Sequence, residues 1–167
     1  MARLFFALWP DALARDRLGA LALDVAQASR GKPVPAANLH LTIAFLGEVN
    51  DARVDLLSGI AAGIEAPAFR MELDRVGSFA RARVAWAGCA RPDPRLMDLQ
   101  AAIATGLDRQ GFTLEDRPFA PHLTLARKAI VALPPRRIEP IGWQVGEFAL
   151  VSSRAGRYET EASWRLG

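Results

Sequence analysis

The sequence predicts an α+β domain made of two similar lobes that face a shared cleft. Three observations point there. Both histidines of the chain open the same tripeptide, His40-Leu41-Thr42 and His122-Leu123-Thr124, set 82 residues apart in a chain of 167. The same order of elements, an apolar strand and then an amphipathic helix, precedes each tripeptide. No linker-like composition divides the halves, so residues 1–167 are expected to form one two-lobed domain.

The elements follow in order. Residues 3–9 form an apolar run that predicts a buried strand. As a secretory signal the run is too short, because six apolar residues end at Pro10-Asp11. Pro10-Asp11 starts a helix that extends to about Ser29, with Leu13, Leu18, Leu21 and Val25 as its apolar stripe. Lys32-Pro33-Val34-Pro35 is a loop. Residues 39–46 form the first histidine strand, which ends at Gly47. Asp51 is the expected N-cap of a second helix with Val54, Leu57, Ile60 and Ile64 on one face. Phe69, Met71 and Leu73 alternate as a half-buried strand does, and residues 84–89 form another strand. In the second half, Pro92-Asp93-Pro94 opens a helix carrying Leu96, Leu99, Ile103 and Leu107, and Gly111 closes it. Residues 117–121 approach the second histidine strand, residues 121–127. A Pro-rich loop spans 133–140, and residues 147–152 and 158–166 make a closing strand pair. The second copy lacks a second helix, so the repeat is imperfect.

Composition bounds the function. Hydrophobic residues make up 51% and charged residues 23%, as in a folded globular protein. The net charge of +3 and a pI near 9.7 mildly favour phosphate-bearing partners. Cys89 is alone and lies in an apolar run, which predicts a small buried filler and fits a reducing compartment. No Cys/His cluster has zinc-ligand spacing. No apolar run approaches the ~18 residues that span a bilayer. The chain is expected in the cytoplasm, as a monomer, with no membrane partner.

In a strand, residues i and i+2 share a face. Each tripeptide therefore sets an imidazole beside a hydroxyl, with Leu turned to the other side. Leu39, Leu41, Ile43 and Phe45 form the apolar face of the first strand, opposite His40, Thr42 and Ala44. Leu123 and Leu125 oppose His122, Thr124 and Ala126. Two histidines that titrate near neutrality suit general acid–base work: one takes a proton from an attacking water, the other gives one to a leaving oxygen. In-line phosphodiester hydrolysis needs such groups on opposite sides of phosphorus. Threonine hydroxyls suit the non-bridging oxygens. A metal site is the weaker reading, because carboxylate or thiolate partners are missing at ligand spacing.

The segments Asn38-Leu39-His40-Leu41-Thr42-Ile43-Ala44-Phe45-Leu46-Gly47-Glu48 and Arg117-Pro118-Phe119-Ala120-Pro121-His122-Leu123-Thr124-Leu125-Ala126-Arg127 resemble the two signatures of the 2H phosphoesterase superfamily. Within it they are most similar to the RNA 2′,3′-cyclic phosphodiesterases, historically called 2′-5′ RNA ligases. The opening Arg3-Leu4-Phe5-Phe6-Ala7-Leu8 resembles that family's first strand. The resemblance implies a pseudo-twofold α+β fold around a central cleft and hydrolysis of RNA 2′,3′-cyclic phosphate ends to 2′-phosphates, without metal or cofactor. It further implies that His40 acts as acid toward the 3′-oxygen and His122 activates water. Thr42, Thr124 and Arg127 match its phosphate-binding positions.

Strand parity sets Arg127 on the wrong face, unless a bulge or its long side chain brings it round. Phe5 and Phe45 are expected in the core, and Phe119 is balanced between core and cleft rim. Trp9, Trp86, Trp143 and Trp164 are expected as core or cleft-edge anchors. Arg81, Arg83, Arg136 and Arg137 are taken as solvated loop residues rather than a nucleic-acid track. Rival readings keep the chemistry on a small cyclic nucleotide, an ADP-ribose cyclic phosphate or a 2′-5′ linked oligonucleotide, or keep only nucleotide binding. No lysine-nucleophile or phosphate-cradling Gly motif supports ATP-dependent ligation.

Overall fold

The structure, a computed structural model, describes residues 2–167. One sheet organises it. Its seam is formed by β3 (Leu41–Val49) and β6 (His122–Arg127), which touch through a single antiparallel pair, Leu41 with Leu123. Outward from β3 lie β1 (Ala2–Leu8), β8 (Glu147–Arg154) and β9 (Arg157–Arg165). Outward from β6 lie β5 (Val84–Gly88), β4 (Phe69–Phe79) and β7 (Arg136–Val145). Each lobe is thus a four-strand half of one sheet, with its histidine strand at the seam. The short β2 (Lys32–Pro33) also pairs with β6, where the sequence suggests only a loop.

The helices cross between lobes. α1 (Ala12–Ser29) follows β1 but packs on β5, β6 and β7 of the opposite lobe. α3 (Pro94–Arg109) follows β5 but packs on β3, with α2 (Val54–Ala62) against α3 and β9. Each lobe's sheet is covered by the other lobe's helix, which ties the halves into one core. α3 buries Leu96, Leu99, Ile103 and Leu107, the predicted stripe, behind an Asp93 N-cap.

Other expectations are corrected. Asp11 is the N-cap of α1, so Pro10 lies before the helix rather than in its first turn. The buried face of α1 runs through Ala14, Leu18, Ala22 and Val25, and Leu13 is exposed. Alanines let the helix sit close to the sheet, and a stripe built on leucines alone misplaces the face by about one position. Asn50, not Asp51, caps the 3₁₀ turn before α2. Gly47 does not end β3. It sits inside the strand with φ +71°, at an irregularity that a side chain would strain.

The loop expected at 133–140 is largely strand: β7 begins at Arg136 and includes Pro140. Pro lacks an N–H for the ladder, but β7 is an edge strand, and pairing jumps from Leu73–Ile141 to Arg75–Arg137 around Pro140. Trp143 and Val145 fill the core beside it.

Candidate active site

Both histidine strands bulge at the same place in their motifs. Against β1, β3 pairs Thr42 with Ala7 and then Ala44 with Phe6, leaving Ile43 extra. Against β5, β6 pairs Thr124 with Trp86 and then Ala126 with Ala85, leaving Leu125 extra. Ile43 and Ala44 are both buried, as are Leu125 and Ala126. A bulge shifts the alternation by one, so the next residue moves to the opposite face. Arg127 thereby joins the face of His122 and Thr124, which plain alternation denies it. Phe45, expected in the core, is instead 45% exposed on the face of Thr42. Its strand partner there is Phe5, and the Arg3 guanidinium lies over its ring at 5.5 Å. Phe45 and Arg127 occupy equivalent positions in the two motifs.

The Leu41–Leu123 pair orders the seam. In an antiparallel register it sets His40 across from Thr124, and Thr42 across from His122. All four polar side chains lie away from the buried leucines, on the cleft face.

The two imidazoles are held alike. His40 Nδ1 lies 2.7 Å from the Asn38 carbonyl, and His122 Nδ1 lies 2.8 Å from the Ala120 carbonyl. A carbonyl only accepts, so each Nδ1 carries a proton and each Nε2 is the working nitrogen. When His40 is neutral, Thr42 Oγ1 donates to its Nε2 at 3.0 Å.

Their surroundings differ. His40 stacks on Phe5 with centroids 4.8 Å apart and meets Trp9 and Tyr158 edge-on at 5.6 and 5.3 Å. Phe5, Ala7, Ala149 and Val151 form a small apolar cluster on this face, separate from the main core, with Trp9 and Tyr158 against it. Burial in this setting lowers the His40 pKa below its ordinary value. The Asn38 carbonyl partly opposes that shift, and the positive charges of Arg127 and His122 add to it. His122 meets Phe79 edge-on at 5.1 Å, and Phe79 packs against Trp86. Trp86 lies across two glycines, where a Cβ on Gly77 would stand 2.7 Å from its ring.

The structure brings His40, His122, Thr42, Thr124 and Arg127 to one face of the sheet, across its seam. Sequence reasoning missed Tyr158 and the exposed Phe45, and it assigned Phe5 to a core without seeing its contact with His40. The bulges that decide this leave no sign in one strand's own alternation. Phe119 packs on the main core, which settles its balance. Trp143 is core and Trp164 packs against it, whereas Trp9 and Trp86 stand on the cleft face. Cys89 is half-buried and its thiol donates to the Glu72 carbonyl; burial foremost, with Asp74 and Glu72 nearby, pushes it up to about 11. Among the described residues no three His, Cys, Asp or Glu side chains gather as metal ligands, and no helix is long and apolar enough to cross a membrane.

Comparison with known proteins agrees with this geometry. Residues 9–157 match the family model described as the 2′-5′ RNA ligase superfamily. The chain is 38% identical to the RNA 2′,3′-cyclic phosphodiesterase of Escherichia coli over 160 residues, 95% of this chain and 90% of that protein. It is 33% identical to the RNA 2′,3′-cyclic phosphodiesterase of Thermus thermophilus over 165 residues, covering 90% of this chain and 81% of that protein. The crystal structure of E. coli LigT complexed with 3′-AMP superposes with a TM-score of 0.90 at 36% identity, over 99% of this chain and 98% of that one.

Proposed function

The chain belongs to the 2′-5′ RNA ligase superfamily, and from that premise we propose that it opens 2′,3′-cyclic phosphates at RNA ends with His40 and His122 as its acid–base pair. It is an RNA 2′,3′-cyclic phosphodiesterase, a hydrolase. The observation that carries the mechanism is the matched tethering of the two imidazoles through Nδ1, which leaves the Nε2 of each to the chemistry, that of His40 resting against Thr42 Oγ1.

Water attacks phosphorus in line with the 3′-oxygen. His122 Nε2 takes the water proton as the new P–O bond forms. The P–O3′ bond breaks, His40 Nε2 gives its proton to the departing 3′-oxygen, and the phosphate stays on the 2′-oxygen. Thr42 and Thr124 donate to the two non-bridging oxygens, and Arg127 balances their charge. Before substrate enters, burial keeps His40 neutral, capped by Thr42. An entering phosphate anion favours the imidazolium and draws the Thr42 hydroxyl away, so the substrate helps charge its own acid. Phe45, with Arg3 over one side, offers a plate for the terminal base.

The test is product identity. An oligonucleotide ending in 2′,3′-cyclic phosphate, incubated with the protein in EDTA, should yield a 2′-phosphate end. A 3′-phosphate product, or turnover that needs an added divalent metal, would refute the assignment.

A further inference from the structure

The chain's charge is one-sided. Residues 75–91 and 117–138 hold nine of its 21 lysines and arginines and none of its 18 acidic residues. The rest of the chain is left with twelve cations against eighteen carboxylates. The two stretches are distant in sequence but adjacent in space: they supply the far half of β4, β5, β6 and the start of β7, the lobe that carries His122. Arg117 is paired with Glu115 at 2.7 Å, and the remaining eight cations have no carboxylate within their own stretches, so a net charge of only +3 conceals a cation-rich wall that attracts a polyanion.

That wall contains a recess. The turn between β4 and β5 and the segment after β6 enclose an open hollow of about 330 Å³, lined chiefly by Ser78, Phe79, Arg83, Ile130 and Val131. This volume sits at the lower end of the roughly 300–1,000 Å³ typical of small-ligand pockets. Ile130 and Val131 are 69% and 42% exposed, although the backbone beneath them is pinned. Ala129 N–H donates to the Arg83 carbonyl at 2.9 Å, Leu133 N–H to Ser78 Oγ at 2.8 Å, and the Ile130 and Val131 N–H groups both to the Ser29 carbonyl at 2.9 Å. Their exposure is thus held in place by the fold. The recess borders the candidate site through one shared side chain: Phe79 lines it and also meets the His122 ring edge-on at 5.1 Å.

We propose that this recess seats the nucleotide immediately 5′ of the cyclic end, which makes the enzyme selective for RNA strands over cyclic mononucleotides. The inference rests on the function proposed above. In the terminal ribose, the base leaves from C1′ and the chain from C4′, on opposite sides of the ring oxygen. With the terminal base on Phe45 of one lobe, the chain departs toward the other lobe, where the cations stand. Phe79, Ile130 and Val131 give the preceding base an apolar seat, and Arg81 and Arg83 meet its phosphates.

The test compares a 2′,3′-cyclic mononucleotide, the matching dinucleotide and a decamer. The wild type should gain roughly tenfold or more in kcat/KM between the first two, the size expected of one stacked base. Ile130→Asp, and separately Arg81→Glu with Arg83→Glu, should remove that gain and leave mononucleotide turnover unchanged. Equal loss on both substrates, or an unchanged preference, would overturn the subsite while sparing the phosphodiesterase reading. Failure of the wild type on every cyclic substrate would overturn both. A dimer that Ile130→Asp turns to monomer, with substrate preference intact, would reassign the patch to a second copy of the chain and likewise overturn the subsite.

Discussion

At the scale of single residues, the two histidines have the same tether and different surroundings. General acid or base catalysis is typically worth ~10²–10⁴-fold, so His40→Ala and His122→Ala should each lower kcat/KM by about that much. The double mutant should fall far short of the product of the two losses, since both groups act in one displacement. Burial lowers the His40 pKa, which makes a second, distinct prediction about pH. kcat/KM reports the free enzyme and kcat the substrate complex, in which the phosphate anion favours the imidazolium. The alkaline limb assigned to the acid should therefore lie at higher pH in kcat than in kcat/KM; coincident limbs would count against His40 as acid. The same shift affects stability. The folded pKa lies below the unfolded value near 6.5, so the unfolded chain takes this proton first as pH falls. The His40 contribution is intact above about pH 6.5 and is lost as pH drops from there through the folded pKa. Urea midpoints measured across that window should fall more steeply for the wild type than for His40→Asn. Thr42→Val and Thr124→Val each remove one hydroxyl from the phosphate, an interaction of about 1 kcal/mol or more. Inhibition by the 2′-phosphate product should weaken in both.

At the scale of elements, the bulges decide which side chains share the cleft. Much was legible beforehand: the repeat His-Leu-Thr fixed the two seam strands, and the full leucine and isoleucine stripe of α3 was correct to the residue. What alternation could not carry was the extra residue after each threonine. It moved Arg127 onto the face of His122 and Thr124 and Phe45 out of the core, because a bulge is set by the register of the neighbouring strand rather than by the strand's own pattern. β7 was hidden for a related reason. Pro140 marks a loop unless the strand is an edge, and edge status is a property of the whole sheet. Glycines give the element scale its test. Gly59 lies within α2 with nothing near its Cβ direction, so Gly59→Ala should stabilise by roughly 0.5–1 kcal/mol. Gly77→Ala would drive a methyl into the Trp86 ring and should cost about 1–3 kcal/mol. Chemical denaturation separates the two, and Trp86 fluorescence should change only for Gly77→Ala.

At the scale of the whole molecule, the crossed helices predict that a repeat of two lobes unfolds as one body. α1 follows β1 of one lobe and covers the sheet of the other, and α3, which follows β5, does the reverse. Neither half keeps its own cover if cut away, so unfolding followed by near-ultraviolet and far-ultraviolet signals should show one coincident transition. Two resolved transitions would mean the lobes hold independently. The same architecture puts one histidine on each lobe, so an in-line displacement can be served from both sides of a single phosphate. The division of labour between those sides is best tested with a cyclic substrate whose bridging 3′-oxygen is replaced by sulfur, a leaving atom that needs little protonation. Activity on it should return in His40→Ala and stay lost in His122→Ala. Rescue of His122→Ala instead would reverse the assignment, and rescue of neither would contradict an acid at His40.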